Sequence, residues 1–374
     1  MHKIHLLKNE LSEVYMNLAL ESFALSLISI FVPIYILSVG YSFDYMILFF
    51  MIYYGCIGIF APVSASLANR FGFKHIILFR TPLLIAFLLG LHNIENLMFS
   101  PLILAAFGGF GSSLYWISIN SIFAKYSDKI HRGTQTGKMV SLPQLAALAG
   151  PTLGGFISFI YGFKILFLVT SAIIIISVVP LFMTKETKPH INFSFRKMIN
   201  IKANLKYSGY FTLDGAKSVA SVIFWPIFIY WGLSGSTTGT GFAQTLTGIG
   251  VIAFTYYIGR QTDKKGKTSF IKKGAVFLAL VWFARIFASS SFEFFIYSLL
   301  AGFFTVLIDV PFLAASFDQA NKENPDEFVV FRDIFIGFGR FVFLGLTLLV
   351  SDAAMKVLLG FGLAGAASLL FLFF

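Results

Sequence analysis

Charge is scarce in this chain. Only 12% of its residues are charged, while 57% are apolar and 47 are Phe. Soluble domains carry roughly 25% charge, so an ordinary water-soluble globular protein is excluded and a bilayer is implied. Acid is scarcer than base, with 17 Asp and Glu against 28 Lys and Arg. In a soluble protein that balance would suggest nucleic acid. In a membrane protein it is read loop by loop, and no nucleic-acid partner is expected. Cysteine is almost missing: the single thiol, Cys56, lies in an apolar run and rules out an internal disulfide. The six histidines fall in loops or at the ends of apolar runs, with none at metal-ligand spacing. No metal and no cofactor are therefore expected. No Ser/His/Asp or Cys/His arrangement can be placed inside a bilayer, so an enzyme is not expected. "GKT" at 266–268 lacks the earlier Gly of a phosphate loop, since Gln261 stands in its place. The first 13 residues are polar and carry no signal-peptide pattern.

The apolar residues fall into long runs. A membrane-crossing helix needs about 20 mostly apolar residues. Twelve stretches come near that length: 14–37, 43–67, 75–91, 97–123, 139–160, 163–183, 207–232, 241–258, 273–288, 294–317, 328–350 and 355–374. Helices are the expected form, because unpaired peptide groups in lipid are costly. The short alternating segments of a β-barrel are missing. Pro33, Pro62, Pro82, Pro101, Pro151, Pro226 and Pro311 lie within these stretches and predict bends.

Lys and Arg are unevenly placed. With the N-terminus in the cytoplasm, the loops on that side hold Arg70 and Lys74, Lys125 to Lys138, the cations of 185–206, and Arg260, Lys264, Lys265 and Lys267. The opposite loops hold Lys164 and Lys356. That asymmetry predicts that both termini are cytoplasmic. The inner membrane of a prokaryotic cell is the expected location. The longest polar stretch, 185–206, reads as a cytoplasmic linker between two six-helix units, 1–184 and 207–374.

The two units echo one another. At an offset of 193, Glu21 meets Asp214, Phe31 meets Phe224 and Pro33 meets Pro226. At 194, Asn69 meets Asp263, Arg70 meets Lys264 and Gly72 meets Gly266. A parallel repeat of six spans, related by an axis along the membrane normal, implies two bundles facing across a central cleft.

These features resemble the major facilitator superfamily of secondary transporters. That family carries a loop motif, Gly-x-x-x-Asp-Arg/Lys-x-Gly-Arg/Lys, between its second and third helices, echoed between the eighth and ninth. The second copy here has Gly259, Asp263, Lys264, Gly266 and Lys267. The first has Ala65 for the leading Gly and Asn69 for the Asp, followed by Arg70 and Gly72. The resemblance implies a gating role for these loops, with Asp263 in a latch. Antiporters of the family also share a fifth-helix glycine motif. Gly137, Gly150, Pro151, Gly154 and Gly155 match it, and Ala146 replaces one Gly.

An ionisable side chain at mid-bilayer costs about 2.5–3.5 kcal/mol on insertion scales, which makes it a functional candidate. Glu21, Asp214 and Asp309 are the proton-coupling candidates, Glu21 and Asp309 first among them. Lys217, three residues after Asp214, shares its helical face and is placed to pair with it. By the resemblance, Glu21, Asp214, Lys217, Asp309 and Arg340 would face one wet cavity. Tyr115, Trp116, Asn120, Trp225 and Tyr230 are the further candidates for the substrate pocket. Arg80 and Arg285, near span ends, are expected to snorkel to the interface.

The chain is thus expected to be an all-α polytopic membrane protein of twelve helices in two six-helix bundles. It would act as a secondary transporter of a small molecule by alternating access, coupled to protons, as a monomer in the lipid bilayer. The fifth-helix motif leans towards efflux of an amphipathic compound by antiport. Uptake of a polar solute such as a sugar or organic anion is the alternative. A membrane scaffold or sensor without transport is the other class, favoured by Asn69.

Overall fold

The computed structural model describes residues 2–126, 132–183, 205–322 and 325–374. Most of the expected linker, 185–206, lies outside the described residues. The described residues form helices and short connections, with no strand.

The described residues form fourteen α-helices. The first half holds α1 (His2–Ile28), α2 (Phe31–Ser38), α3 (Phe43–Phe71), α4 (Phe73–His92), α5 (Pro101–Tyr126), α6 (Arg132–Ala147) and α7 (Gly150–Val178). The second holds α8 (Leu205–Val219), α9 (Trp225–Gly232), α10 (Thr237–Lys265), α11 (Lys267–Arg285), α12 (Ser291–Lys322), α13 (Pro325–Thr347) and α14 (Ala353–Leu370). These group into twelve rods. α1 and α2 make one, α6 and the start of α7 another, and α8 and α9 a third. α7 itself bends at Gly162, whose φ of 80° is open to glycine and strained for other residues. Among the described residues, eight helical stretches are long and apolar enough to cross a membrane, one of them the 42-residue stretch Ser141–Phe182 that holds two rods. α10, α11 and α13 are not among the eight. Ile59, Phe159, Phe287 and Leu349 stand outward at 72–81% exposure. Side chains of that kind on an outer wall fit lipid, not water.

The expected repeat has a physical form. α3 and α10 are each 29 residues long. Each stops at a glycine, Gly72 with φ 92° and Gly266 with φ 83°, and a new helix starts at once. A Cβ would strain both turns. The rods of α1–α2 and of α8–α9 are both interrupted shortly before a proline, in different ways. The first is interrupted at residues 29–30 and resumes at Phe31, two residues before Pro33. The second passes through a π-helical turn, Ala220–Phe224, just before Pro226. Proline offers no N–H to the preceding turn, so the helix must loosen there.

Packing follows the same scheme in each half. α3 and α4 pack on α5; correspondingly, α10 and α11 pack on α12. α1 packs on α7, and α8 on α13. The halves meet along two seams, α3 with α13 and α7 with α10. Both seams are built from small residues. A Cβ on Gly58 would stand 3.2 Å from the Ile334 carbonyl oxygen, and one on Gly155 would stand 2.5 Å from that of Thr237. Thr152 and Thr245 hydrogen bond across the second seam at 2.8 Å. With twelve passes both chain ends share one end of the bundle, called proximal below. At the opposite, distal end, Lys356 of α14 pairs with Asp44 of α3, joining the two halves.

Gly150 and Gly154 of the fifth-helix motif face α1. A Cβ on Gly154 would overlap the Leu27 backbone carbonyl. Backbone cannot step aside as a side-chain tip can. Overpacking of this kind costs about 1–3 kcal/mol, so Gly154→Val should lower the thermal midpoint of the purified protein. Gly259→Ala, with nothing within 4 Å of its Cβ, should leave it unchanged. Equal midpoints for the two variants would show that the α1–α7 contact is not tight.

Candidate functional site

A cavity of about 360 Å³ lies between the halves. Ser26 and Ser29 of the first rod, Gln144 of α6 and Pro151 of α7 line it from one half. Lys217 and Ser218 of α8, Gln244 and Thr247 of α10, Trp282 of α11, and Thr305 and Asp309 of α12 line it from the other. Six rods thus contribute, and hydroxyls and amides share the wall with apolar side chains such as Leu148, Val222, Val251 and Leu278. Some of these hydroxyls bond their own helix backbones, Ser26 to the Phe23 carbonyl and Ser218 to that of Gly215, each at 2.7 Å. That makes it cheap to place them along an apolar helix.

The charged group in this cavity is a trio. The Lys217 ammonium donates to Asp309 Oδ1 at 2.6 Å and lies 2.8 Å from Asp214 Oδ1. Lys217 is buried, with 7% of its side chain exposed, whereas Asp309 is 46% exposed. Asp214 and Lys217 come from one face of α8 as their three-residue spacing predicts, and α12 brings Asp309 to them. Two carboxylates share one ammonium, so the trio carries one negative charge until a proton joins it. Asp214 does not itself line the wall, against expectation, and neither does Arg340 of α13. Its Nε donates to Ser218 Oγ at 3.1 Å, and its guanidinium lies 4.8 Å from the Tyr54 ring centre across the seam.

Glu21 is elsewhere. The expectation that it faces the cavity is corrected by the structure. Its Oε1 accepts from Arg80 Nη1 at 2.5 Å, and both side chains are 2% exposed. Its Oε2 accepts from Ser177 Oγ at 3.2 Å. The Arg80 guanidinium also covers the Tyr115 ring at 4.5 Å, and the Tyr115 hydroxyl donates to Asn17. This is a dry cluster inside the first half, holding α1, α4, α5 and α7 together. Arg80 and Arg285 do not snorkel: they are 2% and 1% exposed. Aromatic neighbours close over them, Tyr115 over Arg80 and Trp225 and Trp282 over Arg285.

The aromatic pocket candidates are also corrected. None of Tyr115, Trp116, Asn120, Trp225 and Tyr230 lines the cavity. Tyr115 belongs to the dry cluster. Trp116 points outward at 44% exposure. Asn120 donates to the Trp116 carbonyl in its own helix. The Trp225 indole donates to Ser298 Oγ at 2.9 Å among buried aromatic rings. The Tyr230 ring lies against the turn at Gly235. Sequence reasoning missed Gln144, Gln244 and Trp282. The two amides carried a usable signal, since polar side chains are rare within apolar helices.

The loop motif has two aspects. Gly72 and Gly266 form the matching turns described above. Asn69 and Arg70 end α3 and are exposed, with Arg70 lying over Phe71. Asp263 and Lys264 belong to α10, but their side chains lie outside the described residues. Gly137 falls within α6, and Gly155 meets α10 at the seam.

A family model described as Major Facilitator Superfamily matches residues 14–207. No curated protein matches the sequence. Among solved structures, a crystal structure of the E. coli fucose:proton symporter FucP is similar, with a TM-score of 0.67, 15% identity and 97% of each chain covered. That likeness establishes the fold across both halves. The family match over more than half of the chain, the paired glycine turns and the shared helical architecture lead to one assignment: the chain belongs to the Major Facilitator Superfamily of secondary transporters.

Proposed function

We propose that this transporter couples movement of a small polar solute to protons through the Asp214–Lys217–Asp309 trio. One observation carries this reading: a single ammonium, Lys217, is bound by two carboxylates, and it and Asp309 open onto the cavity between the halves. A carboxylate's affinity for protons depends on its hydration and on nearby charge. Both change when a cleft closes on one side and opens on the other. Such a trio can therefore load a proton in one state and release it in the other.

The polar wall of Gln144, Gln244, Thr247 and Thr305 favours a polar solute. Efflux of an amphipathic compound by antiport is the second reading, favoured by Val222, Val251, Leu278 and Trp282 on the same wall. The glycines that suggested antiport serve close packing against α1 and α10, which transport in either direction needs. On this reading 1–184 and 207–374 are the moving units, joined by 185–206. The turns at Gly72 and Gly266, with Asn69, Arg70, Gly259, Asp263 and Lys264, form the proximal gate. The unequal Lys and Arg placement supports cytoplasmic termini in a prokaryotic inner membrane, and the chain acts as a monomer.

The test uses purified protein in liposomes with an imposed pH gradient, an internal pH dye and a panel of sugars, organic acids and amphipathic cations. At least one compound should collapse the gradient, and the sign of the internal pH change gives the direction. If compounds bind yet none moves with or without the gradient, the protein is a sensor or scaffold and the proposal fails.

A further inference from the structure

Arg285 occupies an unusual place. It is 1% exposed and lies in the last turn of α11. Its guanidinium is held between two indoles, 4.1 Å from the Trp225 ring centre and 4.3 Å from that of Trp282. Its Nη2 donates to the Tyr297 carbonyl at 3.3 Å. Its Nε and Nη1 are buried and have no acceptor, and the same is true of the Trp282 indole N–H. Among the described residues no carboxylate acts on this guanidinium. The other buried cations among the described residues are neutralised: Arg80 by Glu21, Lys74 by Glu13, Lys217 by Asp214 and Asp309, and Lys356 by Asp44.

A buried cation with unfilled donors is costly. Ring faces offset part of that cost but accept no hydrogen bond in the guanidinium plane. Three donors without acceptors, two of them on a cation, gather in one spot. Leu278, Trp282 and Arg285 follow one another along one face of α11, and the first two line the cavity. Arg285 is therefore the next residue on the cavity side, one turn beyond the wall.

We propose that the transported solute is an anion, whose carboxylate, sulfonate or phosphate is received by Arg285 Nε and Nη1 and by the Trp282 indole N–H. This rests on the transport reading above and names its substrate class. Rotation of the Trp282 ring joins the guanidinium to the cavity. The planar fork of arginine suits two oxygens of one anionic group. The anion then offsets the cation left over when Lys217, Arg285 and Arg340 are set against Asp214 and Asp309.

The experiment titrates purified full-length protein with matched pairs: hexanoate and hexanamide, benzoate and benzamide, phenylphosphate and phenol. Tryptophan fluorescence and thermal midpoint are the readouts, and flux into liposomes follows for any compound that binds. At least one anion should bind saturably where its neutral twin does not. Arg285→Gln should weaken that anion by about tenfold or more, the size of one charge-assisted hydrogen bond. Arg285→Lys should recover part of the loss, and Trp282→Phe should weaken binding by a smaller factor. Should Arg285→Gln not fold, the Lys and Phe variants decide. The inference is overturned if no anion outbinds its twin, or if the variants bind anions as the parent does. Flux of a neutral or cationic solute that survives Arg285→Gln would overturn the anion assignment while leaving transport standing. Absence of flux for every compound that binds would instead remove the transport reading.

Discussion

Asp309→Asn should abolish proton-driven accumulation while leaving exchange of solute in the absence of a gradient. Asn keeps the shape of Asp309 and still accepts from the Lys217 ammonium, which lies 2.6 Å away in the parent. The remaining Asp214–Lys217 pair is neutral without a proton. The trio then has no charge to trade, and the two states no longer differ in proton affinity. Accumulation should fall to the level of protein-free liposomes, measured with whichever compound the panel returns. A second readout is independent of flux. The parent in weak buffer should take up or release protons when solute binds, and the variant should not. Full accumulation in the variant would take Asp309 out of the coupling.

Glu21→Gln should act on stability first. The sequence invites the opposite expectation, that the variant folds normally and loses only its response to pH. The geometry decides otherwise. Without the carboxylate, Arg80 would be a buried cation with 2% of its side chain exposed and only the Tyr115 ring against it. Removing one partner of a buried pair costs about 3–5 kcal/mol. Folded yield and thermal midpoint should both drop. Removing both charges with Glu21→Gln and Arg80→Met should restore much of the loss, because no unpaired ion remains. A Glu21→Gln protein as stable as the parent but dead in transport would return Glu21 to the coupling mechanism.

Much of the fold was legible because its causes are local. Apolar runs of bilayer length mark the rods, and prolines and loop glycines mark their ends. The offsets of 193 and 194 pair a helix break before Pro33 with one before Pro226, and the turn at Gly72 with a turn of the same shape at Gly266. Lys217 was legible beside Asp214, three residues away on one helix. What was not legible is rotation about the helix axis. A helix that is apolar all round gives no stripe to orient it. The sequence therefore could not tell that Trp116 looks outward while Tyr115 looks in. Long-range partners were hidden for the same reason: Glu21 and Arg80 stand 59 residues apart, and Lys217 and Asp309 stand 92 apart. The Arg285 site was missed because a cation near a span end was read as reaching for the interface. Its wall of indoles forms only when Trp225 of α9 and Trp282 of α11 come together.

The Lys356–Asp44 bond at the distal mouth has its own consequence. Lys356 is 1% exposed there, while Asp44 stays 57% exposed. Parting the halves at this mouth would return the ammonium to water, and its regained hydration would offset much of the lost attraction. Exposed ion pairs hold by only about 0–1 kcal/mol, and this one is half wet already. The clasp therefore sets a mild preference, which counter-ions in the surrounding medium can tune. A carrier that must turn over continually is well served by a fastening so easily undone.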